Sequence, residues 1–454
     1  MKNTIFLPKD VEYIIDTFYN EGYKAYAVGG CVRDSLMGKQ PNDWDICTNA
    51  LPNQVKQVFS THNIIDTGLK HGTVTLVMNK IPYEITTFRK ESTYSDNRRP
   101  DSVTFVTSLQ EDLSRRDFTV NAIAYNQYEG IIDFFGGQTD LQKRIIRTVG
   151  NADTRFNEDA LRILRAVRFA STLEFSVEKE TQISIHNNKE LLNNIAVERI
   201  WAEFKKLIMG KNSVEVLREF ADVIAVFMPD ITPMIGFNQN NPMHCYDVWE
   251  HTLHALGNAD NNLSVRLAVL FHDIGKPSTY FEDEKGIGHF YGHNKASEKI
   301  TLNTLTNLRA EIKLKNEVAT LVDFHDRVIN STEKSVKRMI FKIGSPQLFE
   351  KYIQVKLCDI KAQNPAVVNE RVATIEEVIK IYNRLQNDNN LVTTVKDLSI
   401  NGNDIILLGV KKGKNVGKIL NELLNLVLDN KLKNDRKKLL EMAQILINRN
   451  KIAK

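Results

Sequence analysis

The sequence predicts an α+β fold in which a small mixed-sheet head precedes an all-α neck, a histidine-rich helical domain and a helical tail. Strand-like runs, KAYAVGG and TVTLVMNKIPYEITTFR, precede Arg155, and the second run turns back over residues 79–82. Beyond Arg155, segments such as FNEDALRILRAVRFAS and ERIWAEFKKLIMG have helical periodicity. Proline, glycine and asparagine accumulate over residues 232–242, as expected at a domain boundary.

The length of the chain indicates that it forms several domains. Its 454 residues exceed what a single hydrophobic core usually supports. We therefore expect four segments, with bounds that follow the changes of pattern along the chain. They are the head at 1–147, the neck at 148–235, the histidine-rich domain at 236–365 and the tail at 366–454.

Composition and cysteine usage narrow the class of protein. With 42% hydrophobic and 26% charged residues, the chain resembles an ordinary globular protein. No apolar run approaches the roughly 18 residues of a membrane span, and the N-terminus lacks a signal-peptide pattern. The four cysteines are widely spaced without a CxxC pair, which argues against a disulfide framework or zinc ribbon. We expect a cytoplasmic protein with no membrane partner.

The first elements of the head form a strand, a glycine turn and a helix. An amphipathic helix pattern covers residues 10–20, and the strand KAYAV then leads into two glycines and the helical segment CVRDSLMG. Backbone N–H groups at Gly29 and Gly30 can approach a triphosphate closely because no side chain intervenes. Arg33 adds a guanidinium group to the same turn.

A pair of carboxylates follows this turn in the sequence DWDICTN. In a strand, Asp43 and Asp45 point to one face and Trp44 to the other, since side-chain direction alternates. Such a pair suits two Mg²⁺ ions, one activating an attacking hydroxyl and the other stabilising a leaving pyrophosphate. Glu84, on the later strand YEITTF, is the candidate third ligand.

Three segments in order carry a family resemblance. AYAVGGCVRDSLMGKQPNDWDICTNA, LSRRDFTVNAIAYN and RFNEDALRILRAVRFA resemble the motifs of class II tRNA nucleotidyltransferases, the CCA-adding enzymes, and of their poly(A) polymerase relatives. The resemblance covers about residues 20–230. It implies metal-dependent nucleotidyl transfer in the head, with CTP and ATP as donors and tRNA as acceptor.

The resemblance also implies how the base is chosen. Glu158, Asp159 and Arg162 match the family's nucleotide-selecting motif, which we expect on a single helix. Asp159 can accept from the exocyclic amino group of cytosine or adenine while Arg162 donates to the adjacent ring nitrogen. By the same resemblance, three further arginines contact the nucleotide or RNA, namely Arg116, Arg165 and Arg168.

A polar segment, RKESTYSDNRRPDSVTF, separates the strands from the RRD motif and is predicted to be a mobile loop. The family uses such a loop to add the terminal A. Its presence argues against an enzyme that adds only CC. It leaves open whether the chain adds all of CCA or only the final A.

A second constellation lies in DVWEHTLHAL, RLAVLFHDIGKP, HFYGHNKASE, LVDFHD and KLCDIKAQN. It resembles the HD-type phosphohydrolases and predicts a transition-metal centre, with Asp273 able to bridge two ions. The expected ligands are His251, His272, Asp273 and Asp359, with His293 and His325 as additional candidates. His254, one turn from His251, is excluded. The alternative is an HD-type fold retained for RNA binding or scaffolding, without hydrolysis.

The tail is predicted to be helical apart from a loop at SINGNDIILLGVKKGKNVG. The net charge of +4 is modest, but KKGK, KLK and RKK cluster beyond residue 410, where they could follow a phosphate backbone. The leading hypothesis is therefore CCA addition to tRNA with release of pyrophosphate. The alternatives are a poly(A) polymerase, an A-adding specialist, or an RNA-end phosphohydrolase acting through the HD-type domain. The oligomeric state stays open.

Overall fold

The computed structural model describes residues 4–91, 102–388 and 391–449. It contains two compact units, Met1–Pro229 and Asp230–Lys454. The mixed-sheet head and the helical C-terminal region confirm the predicted α+β class, whereas the finer four-part division stays a prediction. Within the described residues, no helix has both the length and the apolar character needed to cross a membrane.

A seven-stranded mixed sheet forms the head, in the order β3-β4-β5-β2-β1-β8-β9. Its strands are β1 (Ala25–Val28), β2 (Ile46–Thr48), β3 (Asn63–Gly68), β4 (Thr73–Met78), β5 (Ile81–Thr87), β8 (Ile123–Asn126) and β9 (Gly130–Asp133), with β6 (Arg89–Glu91), β7 (Val103–Phe105) and β10 (Ile145–Ile146) outside this sheet. The helices are α1 (Lys9–Asn20), α2 (Gly30–Leu36), α3 (Pro52–Val58), α4 (Leu109–Ser114) and α5 (Gly137–Lys143). β2 runs parallel to β5 and antiparallel to β1, so the sheet is mixed as predicted.

The predicted strand pair around residues 79–82 is confirmed as the β4–β5 hairpin. Its turn residues Asn79 and Lys80 have φ of 50° and 67°, as in a two-residue turn whose twist matches the strands. One face of the sheet packs on α1, where Val11, Ile14 and Phe18 are fully buried. This apolar contact positions the strand ends that carry the functional residues.

The segment predicted to be a mobile loop is partly ordered at its ends. β6 and β7 pair antiparallel from Arg89↔Phe105 to Glu91↔Val103, so the prediction of a loop without elements is wrong there. Alternating β-compatible residues in VTF provide the missed signal. The middle of that segment, residues 92–101, lies outside the described residues.

The neck consists of α6 (Ala152–Glu158), α7 (Leu161–Leu173), β11 (Ser176–Val177), α8 (Lys179–Asn188), α9 (Val197–Ile208), α10 (Ser213–Glu219) and α11 (Ala221–Ala225). The expectation that Glu158, Asp159 and Arg162 share one helix is wrong. Asp159 is extended, with φ −137° and ψ 102°, and its carboxylate accepts from the N–H of Leu161. The aspartate therefore competes with the helix backbone and separates α6 from α7.

Helices make up nearly all of the second unit: α12 (Val248–Gly257), α13 (Leu263–Phe271), α14 (Lys276–Thr279), α15 (His293–Asn307), α16 (Ile312–Phe324), α17 (Glu333–Ile343), α18 (Pro346–Lys361), α19 (Pro365–Asn387), α20 (Gly402–Leu407), α21 (Lys414–Leu428) and α22 (Arg436–Arg449). A short hairpin joins β12 (Phe281–Glu282) and β13 (Gly288–His289). The segment SINGNDIILLGVKKGKNVG is not the predicted loop, because it contains α20 and the start of α21. Asn401 and Asp404 cap α20 reciprocally, a signal that the sequence carries as NGND.

Candidate functional sites

The glycine turn of the head brings a backbone close to an arginine. Gly29 has φ of 85°, in the region that favours glycine, and a Cβ there would lie 3.2 Å from Nη1 of Arg116. Gly30 then begins α2, as the sequence predicts. The turn, Arg33 on α2 and Arg116 after α4 therefore border one site.

The two aspartates lie just before β2, so their predicted position within a strand is wrong. Strand hydrogen bonding nevertheless extends to Asp45, whose carbonyl accepts from the N–H of Val28 at 3.0 Å. Asp43 and Asp45 are exposed, while Trp44 packs against the head core. The extended backbone thus separates the two carboxylates from the indole in the way the alternating pattern indicates.

Electrostatics place Asp45 in a cluster of carboxylates. Partial loss of its hydration raises the pKa of Asp45 to about 6, Arg116 opposes this rise, and Asp43 and Glu84 add to it. Mutual repulsion among three carboxylates is relieved by a cation, and oxygen ligands suit a hard divalent ion. In the described part of the chain, however, the groups of three ligand atoms that come within 4.8 Å of one another lie in the second unit.

A buried network joins the glycine turn to the neck. Nη1 of Arg33 donates to Asn121 at 2.6 Å, Asn121 donates to Asp117 at 3.1 Å, and Nη2 of Arg165 donates to Asp117 at 2.6 Å. Burial alone would raise the pKa of Asp117, but Arg165 and Asn121 outweigh it and hold the pKa at about 2. Asp117 is thus an ionised anchor between α2 and α7.

Three of the predicted arginines also share one aromatic ring. The guanidinium carbons of Arg33, Arg165 and Arg168 lie 5.1, 5.4 and 3.6 Å from the ring centroid of Phe169. Nε of Arg168 lies 2.7 Å from a carboxylate oxygen of Glu203. Each of the three guanidinium groups also faces a carboxylate, since Arg33 pairs with Asp34 and Arg165 with Asp117, so Phe169 holds three arginine–carboxylate pairs in one place.

The two residues predicted to select the base, Asp159 and Arg162, have separate hydrogen-bonding partners. Arg162 is buried, and it donates to Glu158 at 2.5 Å and to the carbonyl of Arg115 at 2.8 Å. Asp159 instead accepts from Arg199 on α9 at 3.2 Å. Each planar group is therefore fixed in orientation by a different neighbour.

Sequence reasoning missed several supporting residues of this site. They are Arg115, Asp117, Phe169, Arg199 and Glu203. The RRDFTVN motif contains Asp117, but only the arginine partner on α7 makes its role apparent. Glu203 and Arg199 carry no local signal, because their partners lie about forty residues earlier in the chain.

The histidines and carboxylates of the second unit converge as predicted. Asp273 lies at the middle of the group. Its Oδ2 atom lies 3.2 Å from Nε2 of His272 and 3.5 Å from Nε2 of His251. Its Oδ1 atom lies 3.5 Å from Nε2 of His293 and 3.7 Å from Nε2 of His325. Asp359 lies 3.1 Å from His251. All six predicted ligands thus meet around one carboxylate, whereas the excluded His254 stacks on Tyr246 instead.

Backbone carbonyls orient all four rings of this centre. The Nδ1 atoms of His251, His272, His293 and His325 contact the carbonyls of Ala362, Val269, Phe290 and Val322 at 2.6 to 3.2 Å. A carbonyl accepts from Nδ1–H and so leaves the lone pair on Nε2, where the rings face one another. Two sets of three ligand atoms satisfy metal-ligand spacing: His251, His272, Asp273 and Asp273, His293, His325.

A cavity of 270 Å³ opens onto this centre. Lys276 lies on its wall, with Nζ 2.7 Å from both Asp273 and Gln239. Burial would raise the pKa of Asp273, but His272 and Lys276 outweigh it and hold the pKa well below its ordinary value. The central carboxylate is therefore ionised, the form in which it can bridge two cations.

We expect Asp117→Asn to destabilise the first unit, because it removes the charge that faces Arg165. The pKa of about 2, below the ordinary 3.8, means that the ion pair stabilises the fold fully above about pH 4 and is lost as pH falls towards 2. The expected loss at pH 7 is on the order of 2 kcal/mol, measured by urea unfolding.

In the same experiment the difference between variant and parent should shrink below about pH 4. Asp66→Asn is the matched control, since it removes a charge from the exposed Lys56–Asp66 pair and should cost under about 1 kcal/mol. The structural role of the pair would be contradicted if Asp117→Asn lowered the free energy of unfolding no more than Asp66→Asn does. It would also be contradicted if the loss caused by Asp117→Asn stayed constant with pH.

Family models match three stretches of the chain. The poly A polymerase head domain matches residues 25–147, an RNA and SrmB binding site of polymerase A matches residues 174–234, and domain 2 of tRNA nucleotidyltransferase matches residues 293–443. The first match contains the glycine turn and the three carboxylates. The third begins at His293, within the histidine–carboxylate centre.

Comparisons with individual proteins point to the same family as these models. The chain is 35% identical over 444 residues to a CCA-adding enzyme of Ligilactobacillus salivarius, covering 96% of this chain and 95% of the relative. A CCA-adding enzyme of Lactobacillus delbrueckii is 53% identical over 207 residues, and that alignment spans only 52% of the relative. The crystal structure of the Bacillus stearothermophilus CCA-adding enzyme in complex with CTP superposes with a TM-score of 0.70 at 30% identity, covering 98% of this chain and 99% of that one. On these full-length matches, the chain belongs to the CCA-adding enzymes.

Proposed function

We propose that Asp43, Asp45 and Glu84 form the catalytic centre with which this CCA-adding enzyme extends the 3′ end of tRNA from CTP and ATP. The observation that carries the proposal is the cluster of three carboxylates beside the Gly29 turn, where the pKa of Asp45 responds to both acidic neighbours and to Arg116. Family membership implies a divalent metal, and the oxygen-only donor set favours Mg²⁺. When bound, the metal supplies charge that stabilises the departing pyrophosphate.

The residues around these carboxylates bind and orient the nucleotide. Gly29 lets its backbone approach the phosphates, and Arg33 and Arg116 border the same turn with positive charge. Arg165 and Arg168, gathered on Phe169 beside Asp117 and Glu203, place two further guanidinium groups on the neck side. The chain's own groups thus hold the triphosphate, while the tRNA hydroxyl oxygen attacks the α-phosphorus and the bond to pyrophosphate breaks.

The choice between bases is assigned to Asp159 and Arg162. Arg199 fixes the carboxylate of Asp159, and Glu158 fixes the guanidinium of Arg162, so neither group rearranges freely to suit a wrong base. Cytosine and adenine both offer an amino donor and a ring-nitrogen acceptor, whereas guanine and uracil offer a carbonyl where Asp159 requires a donor. An unpaired buried polar group costs about 1 to 3 kcal/mol, which makes the mismatch significant.

A cytoplasmic location accords with tRNA as the acceptor and with the four free cysteines, which a reducing compartment preserves.

The basic tail beyond residue 410 provides the surface for the tRNA backbone, where contacts of lysine with phosphate are independent of base sequence. An enzyme that serves many tRNAs requires recognition of that kind.

A second candidate function belongs to the histidine–carboxylate centre, where metal-dependent phosphate ester hydrolysis is favoured. The observation behind it is the convergence of four Nε2 atoms on Asp273, each ring oriented by a backbone carbonyl. In such hydrolysis, the oxygen of water attacks phosphorus, the bond from phosphorus to the leaving alcohol breaks, and a proton from water ends on that alcohol. Metal loading would activate that water.

Asp43→Ala should abolish nucleotide incorporation, because the carboxylate cluster loses a ligand, while Asp273→Ala should leave incorporation within about twofold of the parent. Both are measured as radiolabelled CMP added to a tRNA lacking CCA. Asp66→Ala, which removes an exposed carboxylate elsewhere in the head, is the control and should retain activity. Near-normal incorporation by Asp43→Ala would contradict the assignment of the catalytic centre.

Arg162→Ala should weaken rejection of GTP and UTP by roughly 10- to 100-fold, because one fixed hydrogen-bonding partner of the base is lost. Discrimination is measured as the ratio of kcat/KM for CTP to that for UTP. Arg147→Ala removes a half-exposed arginine paired with Asp140 and Glu178, and it should leave the ratio unchanged. An unaltered ratio in Arg162→Ala would refute the protein-template account.

Metal binding by the second centre should depend on Asp273, the carboxylate shared by both ligand sets. Titration of the full chain with Mn²⁺ should show binding that Asp273→Ala weakens at least tenfold. His254→Ala offers a matched control, since this ring lies on the same helix as His251 but stacks on Tyr246. Equal binding by the parent and Asp273→Ala would contradict a metal centre here.

A further inference from the structure

Three aromatic rings lie side by side at the cavity over the histidine–carboxylate centre, and nucleotidyl transfer in the head does not account for them. We name Phe281, His289 and Tyr291 the aromatic ladder. The rings of His289 and Tyr291 stack with centroids 5.4 Å apart and planes 5° apart, and Phe281 lies 6.3 Å from His289 at 31°. His289 and Tyr291 also line the cavity that contains Asp273 and Asp359.

The outer rings of the ladder face solvent. Tyr291 is 76% exposed and Phe281 is 57% exposed, although both are large aromatic side chains. Tyr291 and His289 are parallel but offset, and with three quarters of its surface exposed the Tyr291 ring is available to a ligand. An exposed aromatic surface beside a cavity commonly marks a binding site.

The ladder is held in place from beneath. Phe281 and His289 are cross-strand partners in the β12–β13 hairpin, and Asp283 accepts from Nε2 of His289 at 2.9 Å. At Gly288 a Cβ would lie 2.1 Å from the carbonyl oxygen of Gln239, so the hairpin backbone packs closely against that segment. The rings are therefore presented by a fixed backbone, which reduces the entropy lost on binding.

The ladder is also continuous with the metal ligands. Tyr291 precedes the ligand His293 by two residues, and Gly292 between them has φ of 78°, where the chain turns into α15. Lys276, which bonds Asp273, lies with Nζ 5.1 Å from the ring centroid of Phe290. Tyr291 and His293 line the same cavity as Asp273. A molecule whose phosphate lies at the histidine–carboxylate centre can therefore extend onto Tyr291.

We propose that the aromatic ladder is the base-binding subsite of the second centre, and that its substrate is a nucleotide or the terminal nucleotide of an RNA. The proposal rests on the phosphohydrolase function assigned to this centre. A cavity of 270 Å³ is small beside typical ligand sites, so it takes the phosphate and ribose while the base lies outside, on the free face of Tyr291. Stacking tolerates any base, since every base has a π-face.

The charges of the cavity favour an anionic phosphate over an apolar occupant. Lys276 contributes one positive charge, and bound divalent ions would outweigh Asp273 and Asp359. A lipid or a protein helix would satisfy the ring surface but would leave the polar cavity behind it unoccupied. A nucleotide satisfies both parts of the site, since its phosphate suits the anion site and its base suits the stacking face.

The test compares two phosphate monoesters on the Mn²⁺-loaded full chain: adenosine 3′-monophosphate, which has a base, and β-glycerophosphate, which has none. Tyr291→Ala should raise KM for the nucleotide about tenfold and leave kcat/KM for β-glycerophosphate unchanged. Tyr291→Phe should behave as the parent, because it keeps the stacking face. Tyr246→Ala, an exposed tyrosine stacked on His254, is the control.

Equal losses on both substrates would overturn the proposal, because they would show that Tyr291 only supports His293. Unchanged kinetics on the nucleotide would overturn it as well. If the parent hydrolyses neither compound, the hydrolytic function fails separately, and equilibrium dialysis decides the subsite. Only the binding that Asp273→Ala abolishes is then counted as binding to this centre. If the parent binds the nucleotide more tightly than β-glycerophosphate and Tyr291→Ala removes that difference, the subsite is supported. Equal binding of the two compounds by the parent refutes it.

Discussion

The ion pair between the buried carboxylate of Asp117 and the partly exposed guanidinium of Arg165 is the interaction on which the proposed transfer site depends. Asp117 also accepts from Asn121, which accepts from Arg33, so a single carboxylate connects the helix after the glycine turn with the first long helix of the neck. Because removing Arg165 would leave the buried charge of Asp117 without its main partner, the network has little tolerance for rearrangement. This network fixes the distance between the glycine turn and α7, the helix that carries Arg162.

The central carboxylates of the two centres have pKa values shifted in opposite directions. In the head, partial loss of hydration raises the pKa of Asp45 to about 6 and the neighbouring carboxylates add to the rise, so the site favours a cation that relieves their repulsion. In the second unit, His272 and Lys276 keep Asp273 ionised, while backbone carbonyls direct the imidazole lone pairs inward. The oxygen donors of the first suit a hard ion, and the mixed donors of the second suit a transition metal.

Much of the fold and of both sites could be predicted from local patterns. The hairpin at Asn79 and Lys80, the glycine turn and the convergence of six histidines and carboxylates in the second unit all follow from spacing and residue type. What local patterns could not supply were partners distant in sequence. The break at Asp159 depends on a backbone hydrogen bond that competes with the helix, and the orientation of its carboxylate depends on Arg199. Stacked rings at the second cavity likewise require the hairpin to bring them together.

The central claim is that the protein itself, without a nucleic-acid template, chooses cytosine twice and adenine once. The most direct measurement is the product ladder formed on a tRNA that ends at the discriminator base, supplied with all four nucleoside triphosphates. The account predicts three additions in the order C, C, A, followed by a stop, with GTP and UTP left unused. A long A tract, failure to add CC to this tRNA, or incorporation of G or U would contradict it.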